Sequence, residues 1–102
     1  MKKIINGKTY NTETAELIGD YSQSYPNDFN YIEEALYVTK KGGYFLAGGG
    51  GAMSKYSRSV DQNSYCGGSG MHVIPKGEAL AWCERHDIDS DTIEHFFEIE
   101  EG

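Results

Sequence analysis

Four consecutive glycines, Gly48 to Gly51, follow the apolar run Tyr44-Phe45-Leu46-Ala47. No other stretch limits the architecture as much. A glycine run either wraps a phosphate with its peptide N–H groups or marks a place where the backbone bends or meets a close neighbour. A phosphate loop reads G-x-x-x-x-G-K-[ST], yet here Gly51 is followed by Ala52-Met53, and the nearest lysine is Lys55. A dinucleotide site opens a helix directly out of its glycines, with an acid some twenty residues on, inside a strand–helix–strand unit. This run follows a hairpin strand instead. It is read as a bend or close-approach segment between pieces of sheet.

The flanking pattern supplies that sheet. In Ile4-Ile5-Asn6-Gly7-Lys8-Thr9-Tyr10, Asn-Gly provides the two positive-φ positions of a tight primed turn. Thr14, Leu17, Ile18 and Tyr21 fall at i, i+3, i+4 and i+7 behind a capping Asn11 or Thr12, which predicts a short helix over 13–21. Residues 22–30 read as loop around Pro26. From Tyr31 to Thr39, Ile32, Leu36 and Val38 share one strand face, and Tyr31, Glu33, Ala35 and Tyr37 the other. Lys40-Lys41-Gly42-Gly43 turns the chain, so that Tyr37 and Tyr44 are expected to pair across the hairpin. Gln62 to Gly70 reads as an exposed loop and Met71 to Ile74 as a brief strand. Pro75 then opens a helix over about 76–86, and Asp89 or Ser90 caps a last helix anchored by Ile93, Phe96 and Phe97. The expectation is one α+β domain over residues 1–102. Its sheet is a meander of about four antiparallel strands if the first hairpin joins it, with two to three short helices on one face.

Candidate chemistry is sparse. Gly68-Ser69-Gly70 lacks the outer glycine of a nucleophile elbow, since position 71 is Met. Cys66, His72, Cys83, His86 and His95 are the soft or imidazole ligands, and Cys83-x-x-His86 has helical spacing. No two-ligand knuckle accompanies them, so Cys83 is read as a core thiol. A metal- or thiol-dependent enzyme around Cys66, His72 and Cys83 stays a subordinate alternative. Glu33 and Glu34 point to opposite strand faces and are read as solvated acids. The reading is therefore of a protein that is not an enzyme and uses no cofactor or metal. Two cysteines make no disulfide framework. The Met1-Lys-Lys-Ile-Ile opening is too short for a signal peptide, and no apolar run spans a membrane, so cytoplasmic residence in a bacterial host is expected.

Charge is distributed very unevenly. Residues 1–83 hold eight acids and eight bases, whereas residues 84–102 hold eight acids against Arg85 alone. The net charge of −7 therefore lies wholly in the last nineteen residues. Such a field repels nucleic acid and attracts basic surfaces. Glu84, Asp87, Asp89, Asp91, Glu94 and Glu98 form the candidate acidic binding face. Tyr37, Tyr44, Tyr56 and Tyr65, from a set of eight tyrosines, form a candidate aromatic one, because tyrosine packs its ring while its hydroxyl stays wet. Lys2, Lys3, Lys8, Lys40 and Lys41 would gather into a basic rim if the two hairpins are neighbours. That rim supports the alternative of a small nucleic-acid-associated regulatory protein. A homodimer through an unpaired edge strand is also open.

Three segments carry a family resemblance: Ile4 to Ala15, Leu36 to Leu46, and Gly50-Gly51-Ala52-Met53-Ser54-Lys55-Tyr56. They are joined by Val73-Ile74-Pro75 leading to Glu78-Ala79 and Trp82. Together these resemble small accessory proteins carried by conjugative elements and phages of Gram-positive bacteria. Several of those look like inhibitors of host defence, including anti-CRISPR proteins. The resemblance implies a stoichiometric protein partner with a basic nucleic-acid-binding groove, such as a CRISPR effector, that the acidic end occludes by mimicking nucleic acid.

Overall fold

In the computed structural model, residues 1–23, 31–51, 55–56, 58–61, 64–66 and 68–102 are described, with backbone alone for 58–61 and 64–66. The run Tyr44-Phe45-Leu46-Ala47 sets the architecture. Phe45, Leu46 and Ala47 are all buried, so consecutive side chains on opposite strand faces are both covered. A strand like this needs a layer on each side of its sheet. It lies in β5 (Tyr44–Gly50), paired antiparallel on one side with β4 (Ile32–Val38) and on the other with β8 (Gly68–Ile74). β3 (Glu16–Gln23) adds to β4 and completes a four-stranded antiparallel sheet in the order β3-β4-β5-β8. β3 and β8 are its edges.

Helices α1 (Lys76–Arg85) and α2 (Ser90–Phe96) cover one face. There Ile18, Leu36, Leu46 and Ile74 of the sheet pack against Ala79, Trp82, Cys83 and Phe97. Trp82, Leu36 and Cys83 are essentially inaccessible, and full burial of a large apolar side chain contributes ~2–3 kcal/mol. The chain turns between the helices with Asp87 in the left-handed region, at φ 55°, while the Ile88 N–H donates to the Cys83 carbonyl at 3.0 Å. This six-to-one bond closes α1 and drives Ile88 onto β3. The other face carries a smaller core of Tyr10, Phe45, Ala47 and Met71, with Ile5, Ala15 and Tyr37 packed against it. Its covering layer is the hairpin of β1 (Lys2–Ile5) and β2 (Lys8–Asn11). Asn6 and Gly7 sit at φ 51° and 75°, as an Asn-Gly primed turn requires. The α+β architecture with both helices on one face is thus as expected, but the first hairpin is a separate two-stranded sheet laid across the opposite face rather than an extension of the meander.

Two further segments differ from the sequence reading. Residues 16–23 form strand β3, not part of a helix over 13–21, and the described helices number two. The cause is a β-bulge. Leu17 and Gly19 pair with consecutive residues Tyr37 and Leu36, which leaves Ile18 as the extra residue. The bulge places Ile18 and Tyr21 on the same face despite their odd separation, imitating a helical period. Gly19 leaves room there for Ile88, whose Cδ1 tip would stand 2.8 Å from an added Cβ and would have to shift. Of the expected loop over 62–70, residues 64–66 and 68–70 are strand, and 62, 63 and 67 lie outside the described residues. β7 (Ser64–Cys66) pairs with β6 (Arg58–Asp61), and β8 already begins at Gly68.

The glycine run continues β5 instead of bending it. Gly48, Gly49 and Gly50 pair with Glu34, Glu33 and Ile32 on one side and with Gly70, Ser69 and Gly68 on the other. Close approach, the other half of the expectation, is what the glycines supply: a Cβ on Gly48 would lie 2.1 Å from the Glu33 carbonyl oxygen. Backbone cannot retreat as a side-chain tip can. Gly48→Ala should therefore lower the unfolding free energy by ~3 kcal/mol or more, and Gly19→Ala by ~1 kcal/mol, in urea titrations followed by circular dichroism. Equal losses would contradict this account of the run.

Candidate functional site

Glu34 is a strand residue with an acid's solubility and a core residue's position. It alternates with Ile32, Leu36 and Val38, so its side chain points under the helices, and it is 5% exposed. Its neighbour Glu33 does lie on the opposite face and is exposed. The reading of Glu34 as solvated is therefore corrected: it is the one buried charged residue among those described. Its carboxylate accepts a hydrogen bond from the Tyr56 hydroxyl at 2.6 Å and another from the Trp82 indole Nε1–H at 3.1 Å. The half-exposed Lys55 ammonium forms an ion pair with it.

The sheet explains how Tyr56 gets there. Across the strands, Tyr21, Glu34, Gly48 and Gly70 stand in one row on the helix-facing side. The Tyr56 Cδ1 atom lies 3.9 Å from where a Gly70 Cβ would be, so the ring rests over side-chain-free backbone. At the other end of the row, Tyr21 stacks on His86 at 3.7 Å, and His86 meets the Trp82 ring edge-on at 4.9 Å. His72 of β8 lies against Tyr56 at 5.2 Å.

Burial acts to raise the Glu34 pKa, and the bonds from Lys55, Tyr56 and Trp82 outweigh it, holding the carboxyl below its ordinary value. Burial, the hydrogen bond to Glu34 and the carboxylate's charge push the Tyr56 hydroxyl far above its usual range, so it remains a donor. Burial and nearby Arg85 lower the His86 pKa despite opposing nearby acids. All three carboxylate partners are donors, and every buried side-chain polar atom among the described residues has a hydrogen-bond partner. The arrangement is a satisfied tie between β4, α1 and the segment after β5. Sequence spacing placed Glu34 on the apolar face beside Leu36. The missing signal was its pairing with Trp82, 48 residues away.

The tyrosines singled out from sequence are dispersed. Tyr37 stacks on its cross-strand partner Phe45 at 5.2 Å, not on Tyr44. Tyr44 lies on the opposite face and stacks on Phe97 at 5.4 Å. Tyr56 is buried at 4% exposure, and the side chain of Tyr65 lies outside the described residues. Cys83 is buried in α1 with its thiol pKa raised by burial, His72 is exposed on β8, and the side chain of Cys66 also lies outside the described residues. Among the described residues no three His, Cys, Asp or Glu side chains are grouped to hold a metal ion.

The acids of the C-terminal segment all lie on the surface. Glu84, Asp87, Asp89, Asp91, Glu94 and Glu98 are all exposed, at the end of α1, in the turn, along α2 and just beyond it. Inward-facing Ile88, Ile93, Phe96 and Phe97 anchor the segment to the core. None of these carboxylates is within ion-pair distance of a lysine or arginine among the described residues. The lysines gather elsewhere. Tyr10 meets Phe45 edge-on at 5.5 Å and would touch a Cβ on Gly43 at 3.4 Å, which brings the β1–β2 turn beside the β4–β5 turn. Lys8, Lys40 and Lys41 then line a groove of about 680 Å³ on the hairpin side of the sheet. Lys2 and Lys3 do not line it.

No protein-family model, curated protein or solved structure matches this chain. Among the described residues no helix is long and apolar enough to cross a membrane.

The Glu34 tie has a pH signature. A carboxyl whose folded pKa is depressed contributes stability that is present above its unfolded value, near 4.5, and is lost as pH falls through the folded value. Glu34→Gln should cost ~2 kcal/mol at neutral pH, and its stability should fall less steeply than the parent's on acidification below about pH 4.5, measured by thermal melts. Tyr56→Phe should cost ~2 kcal/mol as well, and the two losses should be clearly less than additive in a double mutant.

Proposed function

We propose that this chain is a non-catalytic protein-binding module that inhibits a nucleic-acid-binding protein by occupying its basic groove with the acidic helical end. The observation that carries this reading is the outward presentation of Glu84, Asp87, Asp89, Asp91, Glu94 and Glu98 with no cation of the chain itself against them among the described residues. Carboxylates left unneutralised on a packed helical layer keep their field for a partner. Charge of this kind steers association and selects cationic surfaces that ordinarily hold phosphates.

The platform is suited to the task. α1 is tied to β4 through Trp82 and Glu34, and the end of α2 is pinned by Phe97 stacked on Tyr44. Charges on an anchored layer lose less conformational entropy on binding than charges on a tail. The resemblance of the hairpin, the β4–β5 segment and the glycine stretch to accessory proteins of conjugative elements and phages points to an RNA-guided host-defence nuclease as the target. The site of action would then be the cytoplasm of a Gram-positive host.

The test titrates the chain into a purified RNA-guided nuclease from such a host, bound to labelled target DNA, and follows release by fluorescence anisotropy. Near-stoichiometric displacement is expected, with an apparent affinity that weakens steeply as salt is raised. A variant carrying Asp87→Asn, Asp89→Asn, Asp91→Asn and Glu94→Gln should lose at least about tenfold in potency while melting near the parent temperature. Asn is chosen at 87 because it tolerates the left-handed backbone found there. Undiminished potency of that variant would remove the acidic end from the mechanism.

A further inference from the structure

We propose that the groove between the N-terminal hairpin and the β4–β5 turn is a phosphate-binding site. It lies on the opposite side of the sheet from the acidic helices and is independent of them. In a chain of net charge −7, the residues lining this groove include Lys8, Lys40 and Lys41 and no acid at all. Each of the three lysines is exposed, and none is within ion-pair distance of a carboxylate among the described residues. An anion seated in the concavity would meet three cations that have no counter-charge from the chain itself among the described residues.

The rest of the wall suits phosphate in particular. Thr9 and Thr39 add hydroxyl groups, while the Thr14 hydroxyl already donates to the Asn11 carbonyl at 3.4 Å. The turn itself is held by the Thr39 N–H donating to the Gly43 carbonyl, the Gly42 N–H to the Thr39 carbonyl, and the Gly43 N–H to the Thr39 Oγ1. Among the described residues the peptide N–H groups of Lys40 and Lys41 have no acceptor. Ammonium, hydroxyl and spare peptide N–H groups around one hollow are the donor set that phosphate oxygens use. At about 680 Å³ the groove admits more than a single phosphate group. The ligand class is therefore a polyphosphate anion, either free, as in a nucleotide, or as successive phosphates of a nucleic-acid strand.

Assembly of the groove is tertiary. Lys8 opens β2 beside the first hairpin's turn, opposite Ile5, while Lys40 and Lys41 belong to the second hairpin. They meet because Tyr10 seats the first hairpin on Phe45 and Gly43.

The probes are pyrophosphate, an eight-nucleotide single strand and citrate as a carboxylate control, titrated calorimetrically into the whole chain at low salt. Pyrophosphate, the oligonucleotide or both should bind better than citrate. Oligonucleotide affinity should fall with log salt at a slope of about −2, as three neutralised phosphates require. Lys8→Gln, Lys40→Gln and Lys41→Gln combined should weaken binding at least tenfold. Lys2→Gln with Lys3→Gln, on the same hairpin but outside the groove, should change it less than twofold. Tighter binding of pyrophosphate identifies a free polyphosphate, and tighter binding of the oligonucleotide identifies a strand; either supports the site. Three results overturn it: no binding of either phosphate ligand, citrate binding as well as they do, or equal losses from the two sets of lysine variants. The groove variants should still displace DNA from the nuclease as the parent does, so this site and the acidic end fail or succeed separately.

Discussion

The buried Glu34 carboxylate is the interaction on which the helical half of the molecule is organised. An unpaired carboxylate in that position would cost several kcal/mol, so the fold has to bring donors to it from elsewhere. It receives the indole of α1, the hydroxyl of Tyr56 and the ammonium of Lys55. Each comes from a different part of the chain than β4, which makes the carboxylate a register mark. α1 can slide or rotate on the sheet only by giving up the Trp82 bond and leaving charge stranded. Apolar packing of Leu36, Leu46, Ala79 and Cys83 drives the helix onto the sheet without selecting one position so sharply.

The glycines belong to the same arrangement. Gly48 and Gly70 stand in the row beside Glu34, and the Tyr56 ring rests against the bare backbone of Gly70. Gly48 also permits an approach to the Glu33 carbonyl that no Cβ could survive. The close approach expected of the run is therefore made inside a continuous strand rather than at a bend. The resulting molecule is polarised across the sheet. Acidic helices occupy one face, and the lysine-bearing hairpin occupies the other, separated by the two cores. That separation keeps the two charge populations from neutralising each other.

Part of this architecture is legible in the residues themselves. Asn6-Gly7 specifies a primed turn because few other dipeptides tolerate two positive φ values. The alternation from Ile32 to Val38 specifies a strand and its faces, and the spacing after Pro75 specifies α1. β3 is not legible, since the bulge at Ile18 breaks the period of two on which strand reading depends. Nor is the burial of Glu34. Its face is plain from spacing, but composition says that an acid on a strand is wet, and only a partner 48 residues distant overrides that.

The division follows from the range of the forces involved. Turn chemistry, periodicity and the concentration of −7 in residues 84–102 are local properties, written within a few residues or one segment, and any chain of this order carries them. Which layer covers which face is not local. The first hairpin could have extended the meander, and only the second apolar face of β5, with Phe45 and Ala47 to be covered, draws it across the sheet instead. The Glu34 tie and the gathering of Lys8 with Lys40 and Lys41 depend on the same docking events. Contacts between residues far apart in the chain become favourable only after those layers have closed and their water has been displaced.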